Sequence, residues 1–375
     1  MKIIYIAPQA IPSQSANSIH MMKMAQAMAH NGHRVTLLCA RGSDDNDDDI
    51  FAWYGVEQNF RLLRQYCKPG RIGLISYGFR NATTAREIKP DFVFSRCLMS
   101  AWACVMSGLP VLFEIHDSPS SLGSVARSIF RHVVKSKNFM GIVVISQALK
   151  NHLASEWNVP PEKIIVAPDG ANPLPPMDQY VALEKKPGSF HAGYTGHLYK
   201  GRGIEIIAAM AKAANDTSFH IVGGTKDDVS YWQNELKGLK NLHFHGHVPP
   251  ALIPGFLQHF DVLLAPYQKK VAVAGNTGDT ASWMSPLKIF EYMASGKPMI
   301  CSNMPVLLEV LRDNENALLR TPDSEAEWIE ALTFLKINPR EGERIGRTAR
   351  EDFLSHYTWQ KRAEKILEKV TQSAL

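Results

Sequence analysis

The chain has 375 residues, 45% of them hydrophobic and 21% charged, with a formal net charge of +5. That length predicts two domains, each able to bury a sizeable core. Charges of both signs are spread along the sequence, which argues against a nucleic-acid binder, and the five cysteines, in no CxxC pair or zinc spacing, read as small buried hydrophobes in a reducing compartment.

The opening MKIIYIAP is too short and too soon ended by proline to be a signal h-region. No later stretch approaches membrane-spanning length. The expected location is the cytoplasm, with peripheral contact at the inner face of the membrane left open. Ile3 to Ala7 predicts a buried strand, PQAIPSQSAN a loop, and Ile19, Met22, Ala25 and Met28 a helix capped by Ser15 or Asn17. Val35 to Cys39 is the next strand, completing a βαβ unit and implying a parallel sheet. SDDNDDD, at 43–49, lacks the glycine and terminal glutamate of an EF-hand loop and reads as a solvated loop. Strands are expected at Phe92–Ser95, Val111–Ile115, Gly141–Ile145 and Ile164–Ala167, with helical segments between, one of them starting at Ser146. PDGANPLPP, with three prolines from Pro173 to Pro176, marks a linker.

A second alternation begins at Phe190. FHAGYTG, FHIVGG, LHFHG, DVLLAPY and PMICS read as strands. IEIIAAMAKAA, DDVSYWQNELKGL, PPALIPGFLQHF, SPLKIFEYMASG and PVLLEVLRD read as helices, as do Glu325–Ile337, Arg340–Ser355 and Trp359–Gln372. The fold class this implies is α/β, two doubly wound parallel sheets facing a cleft, with ligands at the C-terminal ends of strands.

The sequence lacks a P-loop, a GxSxG elbow and a GxGxxG after its first strand, so GRG at 201–203 gives NAD chemistry little support. HLYKGRG places Gly196, His197, Lys200 and Arg202 between a strand end and a helix N-terminus, a pattern suited to anions; a solvated turn with incidental cations is the alternative. Ser285, Pro286 and Leu287 open a helix whose free amides can face a ligand, and Lys288 lies in its first turn. Glu291, one turn on, can accept from the two neighbouring hydroxyls of a ribose, or can be a surface residue paired with Lys288.

Taken together, YTGHLYKGRGIE, FHIVGG, LHFHGHV, FDVLLAPY, SPLKIFEYMASGKPMICSN and SHYTWQKRAEKIL resemble glycosyltransferase family 4 in order and spacing. So do NSIHMMKMAQAMAHNGHRVTLL, FEIHD, VVISQALKNHL and IIVAPDGAN in the first half. The resemblance covers nearly the whole chain. It implies the GT-B fold and a retaining, metal-independent transferase with no cofactor. It also implies an N-terminal acceptor domain (1–172), a linker (173–188), a donor domain (189–356) and a final helix (357–375) that crosses back. The donor would be a UDP- or GDP-linked sugar, and the acceptor a saccharide or lipid-linked saccharide of a surface glycan pathway.

By the same resemblance Arg202 binds the donor diphosphate. His197 stands where an arginine is usual, so phosphate binding needs either a protonated His197 or a contribution from Lys200. Glu291 matches the second of the family's two glutamates. Trp283 replaces the first, making this an SPLK-type variant in which Asp279 is the substitute candidate for a sugar contact. Arg202 and Lys288 are expected to stabilise the leaving group. His116 matches the histidine placed near the reacting sugar, acting through its backbone carbonyl or its ring, and would otherwise be structural. Asn17 and Ser18 take the place of a glycine pair in a phosphate or acceptor loop. Arg127, Arg131, Lys135 and Lys137, on one helix with Ile129, Phe130 and Val134, would either offer a face to anionic lipid or form an ordinary solvated helix face. Two other readings stay open: another enzyme on this fold, such as a nucleotide-sugar epimerase, and a non-catalytic nucleotide-sugar-binding partner subunit.

Overall fold

The computed structural model describes residues 1–41, 50–174, 183, 188–273 and 278–373. The acidic run at 43–49, most of the proline-rich linker and residues 274–277 lie outside them. The chain divides into two compact units, Met1–Asp169 with Trp359–Leu375, and Gly170–Thr358.

The first unit is built from β1 (Lys2–Ile11), α1 (Ala16–His30), β2 (Arg34–Arg41), α2 (Ile50–Tyr54), β3 (Arg61–Gln65), α3 (Arg71–Ile88), β4 (Phe92–Ser95), α4 (Leu98–Met106), β5 (Val111–Ile115), α5 (Ser124–Lys135), β6 (Phe139–Val144), α6 (Gln147–Trp157) and β7 (Ile164–Val166). All seven strands are parallel, in the order β3-β2-β1-β4-β5-β6-β7. The central strands bury nearly every residue because helices cover both faces, as a parallel sheet requires.

The second unit repeats the plan with β8 (Phe190–Thr195), α7 (Ile204–Ala213), β9 (Thr217–Val222), α8 (Lys226–Glu235), β10 (Leu242–Gly246), α9 (Ile253–His259), β11 (Val262–Ala265), α10 (Leu287–Ser295), β12 (Met299–Ser302), β13 (Leu318–Arg320), α11 (Glu325–Ile337) and α12 (Pro339–Asp352). Its sheet is also parallel, ordered β10-β9-β8-β11-β12-β13. The last helix, α13 (Trp359–Ser373), belongs to the first unit and packs on α1. Ala171 bridges to Thr358 in parallel, and the Ala171 N–H donates to the Tyr357 carbonyl at 3.2 Å.

In each sheet the strand order reverses once, between β1 and β4 and between β8 and β11. At such a reversal the flanking loops splay apart beyond the strands' C-terminal ends and leave a crevice for ligands. Gly196 and Pro266 follow the two strands at the second reversal.

Some expected helices take another form. PVLLEVLRD makes only a 3₁₀ turn, Leu307–Glu309. The Asn316 side-chain oxygen accepts the Arg312 N–H at 2.7 Å and so diverts the backbone from further helix. In PPALIPGFLQHF the proline is not interior: a 3₁₀ turn at Pro250–Leu252 precedes α9, and Pro254 sits in the first turn of that helix, where it forfeits no bond. α5 ends at Lys135, so Lys137 lies beyond it, and Phe130 and Val133 turn its apolar stripe into the core. On α5 the exposed large apolar side chain is Val125 in its first turn; others lie on α3 at Ile72, Ile75 and Phe79 and on α4 at Met106.

Candidate donor site

The site of the second unit begins at Gly196, just past the end of β8. Its φ is +129°, and a Cβ there would sit 3.1 Å from the Lys288 ammonium nitrogen, so a side chain would meet both strain and a neighbour. Gly203, φ +80°, caps α7, and a Cβ there would sit 1.8 Å from the Pro266 carbonyl. The GRG loop is thus pressed against the segment after β11, a packing role rather than a dinucleotide fingerprint.

Pro286 is the N-cap of α10, so Leu287 and Lys288 fill its first turn. The sequence permitted Lys288 to be a surface residue. Instead it is 7% exposed. Its Nζ lies 3.5 Å from the centre of the Tyr194 ring and 5.2 Å from that of Tyr267, and it has no hydrogen-bond partner. Arg202 reaches the same place. Its guanidinium carbon is 5.4 Å from the Tyr267 ring centre, Nη2 donates to the Ala272 carbonyl at a long 3.4 Å, and Nε is unpartnered. The buried Tyr267 hydroxyl is drawn toward Arg202 and finds no acceptor for its own proton. Three donors of one neighbourhood are therefore left without acceptors beside a helix N-terminus. A buried donor left unmade costs ~1–3 kcal/mol, and such groups are few in native proteins.

Burial, and then the Arg202 charge, hold the Lys288 amine well below the usual lysine range, while Glu291 pulls the other way. The Tyr194 face favours a cation by ~2 kcal/mol when desolvated, less than the several kcal/mol that burying an unpaired ammonium costs. Burial wins. The same two causes bring His197 down to about 4, with Lys288 adding to them. The His197 ring stacks on Tyr199 at 4.7 Å, and its carbonyl accepts from the Tyr194 hydroxyl at 2.6 Å. A protonated His197, expected as one way to replace a cation, is opposed in the ligand-free protein by burial and by the Arg202 charge. Lys200 is exposed at the loop surface. Ser285 and Glu291 are half-buried. Asp279 is exposed, and its Oδ1 accepts the Val271 and Ala281 N–H groups at 3.0 Å each, which closes its own loop.

In the first unit His116 follows β5 and enters an ion cluster. Arg96 donates to its Nδ1 at 3.1 Å, which makes Nε2 the protonated nitrogen, facing Glu114 Oε1 at 3.0 Å. Burial and then the Arg96 charge lower its pKa to about 4. Glu114 is fully buried. Burial would raise it, but Arg362, His20 and Arg96 pull harder and hold it well below the carboxylate range. Arg362, on α13, donates to Glu114 Oε1 at 2.6 Å and to the Pro168 carbonyl at 2.9 Å. His20 lies between Glu114, at 3.3 Å, and Asp169, at 2.9 Å. His20, His116 and Asp169 bring ligand atoms within 4.8 Å of one another. Arg96 and Arg362 already balance the two carboxylates there, so a divalent ion would enter against two guanidiniums. Ser18 is buried, its N–H and hydroxyl both turned back to Ser13 and Ser15 as part of the α1 cap. The Ser18 amide and hydroxyl are thus engaged within the chain at the position expected to form a phosphate or acceptor loop. Asn17 accepts from Arg96 at 3.0 Å.

Two family models together match most of the chain: Glycosyltransferase Family 4 over residues 18–173 and Glycosyl transferase-like over 202–368. The chain belongs to the GT-B glycosyltransferases. The enzyme is 22% identical to a phosphatidyl-myo-inositol mannosyltransferase of Mycobacterium leprae, over 98% of this chain and 96% of that one. It is 29% identical to a teichuronic acid biosynthesis glycosyltransferase, TuaH, of Bacillus subtilis, but spans only 26% of that relative and 30% of itself in the match. Among solved structures it shares the fold of Anabaena Alr3699/HepE in complex with UDP and glucose, at TM-score 0.74, 17% identity and full coverage of both chains.

The sequence missed the two tyrosines that wall the transferase's site and the cluster around Glu114. It also missed a row of imidazoles across the second sheet. His191 Nδ1 meets His220 Nε2 at 2.9 Å, and His220 Nδ1 meets His245 Nε2 at 3.0 Å, on three neighbouring strands. Ser189 closes one end at 2.7 Å. LHFHGHV carried a signal, since His243 and His245 at strand period share a face.

Proposed function

We propose that this enzyme moves a sugar, with retention, from a nucleoside diphosphate sugar bound in its second unit to a saccharide or lipid-linked saccharide acceptor bound to its first. The observation that carries the donor assignment is the convergence of unpartnered donors, Lys288 Nζ, Arg202 Nε and the Tyr267 hydroxyl, at the start of α10. A diphosphate supplies the missing acceptors. Glu291, one helical turn further, carries a carboxylate able to accept from the two neighbouring hydroxyls of a ribose. As the anomeric bond breaks, charge accumulates on the leaving diphosphate, and side-chain cations with the free α10 amides stabilise it, in place of a metal ion. The leaving phosphate takes the acceptor's proton from the same face, which yields retention without a protein nucleophile. HepE, with UDP and glucose in its structure, favours a uridine donor. The mannosyltransferase relatives, including the O-antigen chain mannosyltransferase RfbU of Salmonella typhimurium, favour a mannose and a surface-glycan pathway.

The acceptor side reads toward an anionic membrane on the cytoplasmic side. No helix among the described residues is long and apolar enough to cross a membrane. Ile72 is 82% exposed and Met106 58%. Around them Arg61, Arg64, Lys68, Arg71, Arg80 and Arg86 follow without an acidic residue between Glu57 and Glu87. Anionic lipid suits that composition.

A thermal-shift screen against UDP, GDP, ADP and CMP and their common sugars tests the donor reading, since a ligand that binds only the folded state raises the melting temperature. A shift with one nucleotide, lost in Glu291→Ala, is expected. No shift with any of them would put the non-catalytic reading first.

A further inference from the structure

We propose that Lys288 is a neutral amine while the donor site is empty and takes up one proton as the diphosphate docks, so that the site becomes cationic only when its anion arrives. This rests on the donor reading above and adds a proton to its stoichiometry. The geometry is specific. The Nζ is enclosed at 7% residue exposure between the Tyr194 ring and the backbone at Gly196, and it has no acceptor within hydrogen-bonding distance. The groups that face it from the surrounding elements can be taken one by one. Tyr194 on β8, Tyr267 after β11 and Cys301 on β12 are buried and pushed up by burial, so they are neutral at pH 7. His197, after β8, is neutral because burial and Arg202 lower it. Two charges remain, Arg202 and Glu291, of opposite sign, and they act on the amine in opposite directions. With the local charges offset, desolvation decides, and desolvation favours the form without charge.

A diphosphate changes both terms. It brings negative charge to within contact of the amine and supplies the oxygen acceptors that an ammonium lacks. The proton comes from solvent, and no bond in the sugar nucleotide is made or broken in the step. On release of the nucleoside diphosphate product the proton leaves again. The empty site thereby avoids an unpaired buried ammonium beside Arg202, and the filled site gains a second positive group where charge develops.

Calorimetric titration of the full-length enzyme with UDP-glucose and with GDP-mannose, at pH 8 in buffers of differing ionisation enthalpy, reads the proton directly. Neither probe has a phosphate that titrates near that pH, so uptake reports on the protein. The expected result is uptake close to one proton per donor bound, with affinity falling up to tenfold per pH unit from 7.5 to 8.5. Lys288→Arg, charged throughout, and Lys288→Met, an apolar side chain of similar length for an aromatic pocket, should each abolish the uptake; the second keeps the test alive if the first does not fold. Binding without uptake in the wild type overturns the inference and leaves the donor reading intact. Uptake that persists in either variant assigns the proton to another group and also overturns it. No binding of either sugar nucleotide at millimolar concentration removes both.

Discussion

Two regions of this enzyme gather buried charge and use it in opposite ways. In the first unit Glu114, Asp169, Arg96, Arg362, His20 and His116 interlock at 2.6–3.9 Å, and each side chain meets another of opposite or complementary character. In the second, Lys288 and Arg202 sit with aromatic rings and unpartnered donors. The first arrangement opposes cations with carboxylates of the protein itself; in the second the cations face aromatic rings, and Lys288 Nζ has no hydrogen-bond partner. Burial alone does not distinguish a structural cluster from a binding site; the difference here is whether the buried cations meet counter-charges of the protein.

The comparison breaks most readily at Arg362. Replacing it with alanine strands Glu114 as a buried, less compensated carboxylate and should destabilise the first unit by ~3–5 kcal/mol, as measured by urea unfolding. Arg362→Met with Glu114→Gln should recover much of that loss, and a double variant no better than the single would mean the pair is not what holds α13. In the second unit the loss should fall on catalysis. Arg202→Ala should lower kcat ~10²-fold or more with little change in stability, and unchanged turnover would remove its leaving-group role. Lys288→Met, by eliminating an unsatisfied buried amine, should raise the stability of the empty enzyme by ~1 kcal/mol while weakening donor binding; a destabilised variant would show that the amine is paired.

The imidazole row gives a smaller, pH-dependent effect. Burial, then His245, lowers His220 to about 3, against an ordinary value of 6.5. A group lowered on folding contributes stability that is fully present above pH 6.5 and lost as pH falls toward 3, because the unfolded chain takes the proton first. At ~1.4 kcal/mol for each tenfold change in proton affinity, a difference of a few kcal/mol should open between wild type and His220→Phe across that window. Parallel curves would exclude the row as the cause. The least costly change is Ser15→Ala, which removes the side chain that accepts the Ser18 N–H at 3.2 Å and should cost ~1 kcal/mol.

The alternation of strands and helices was legible because buried β-branched runs alternate with segments of helical period, and strands such as Phe92–Ser95 and Val111–Ile115 keep their bounds in the structure. Strand order was not, since nothing local in β4 says that it pairs with β1. At the site the helix opening at Pro286 was readable from its proline and from Gly296 past its end. The burial of Lys288 was not: α10 supplies Ile289, Phe290 and Met293 to one core, and the walls around the amine come from β8 and from the segment after β11, remote in sequence. The same distance hid Arg362 from Glu114. Neighbouring residues announce a helix; a pairing across the chain does not announce itself at either end.

The bridge from Ala171 to Thr358 has a consequence for the molecule as a whole. Those residues stand at the two ends of the second unit, so that unit enters and leaves the first at a single paired point. It is topologically an insertion, with ends already held together. Gly196, Arg202, Tyr267, Lys288 and Glu291 all fall inside it. A segment with joined ends that carries every group proposed to hold the donor can be exchanged between scaffolds as one piece.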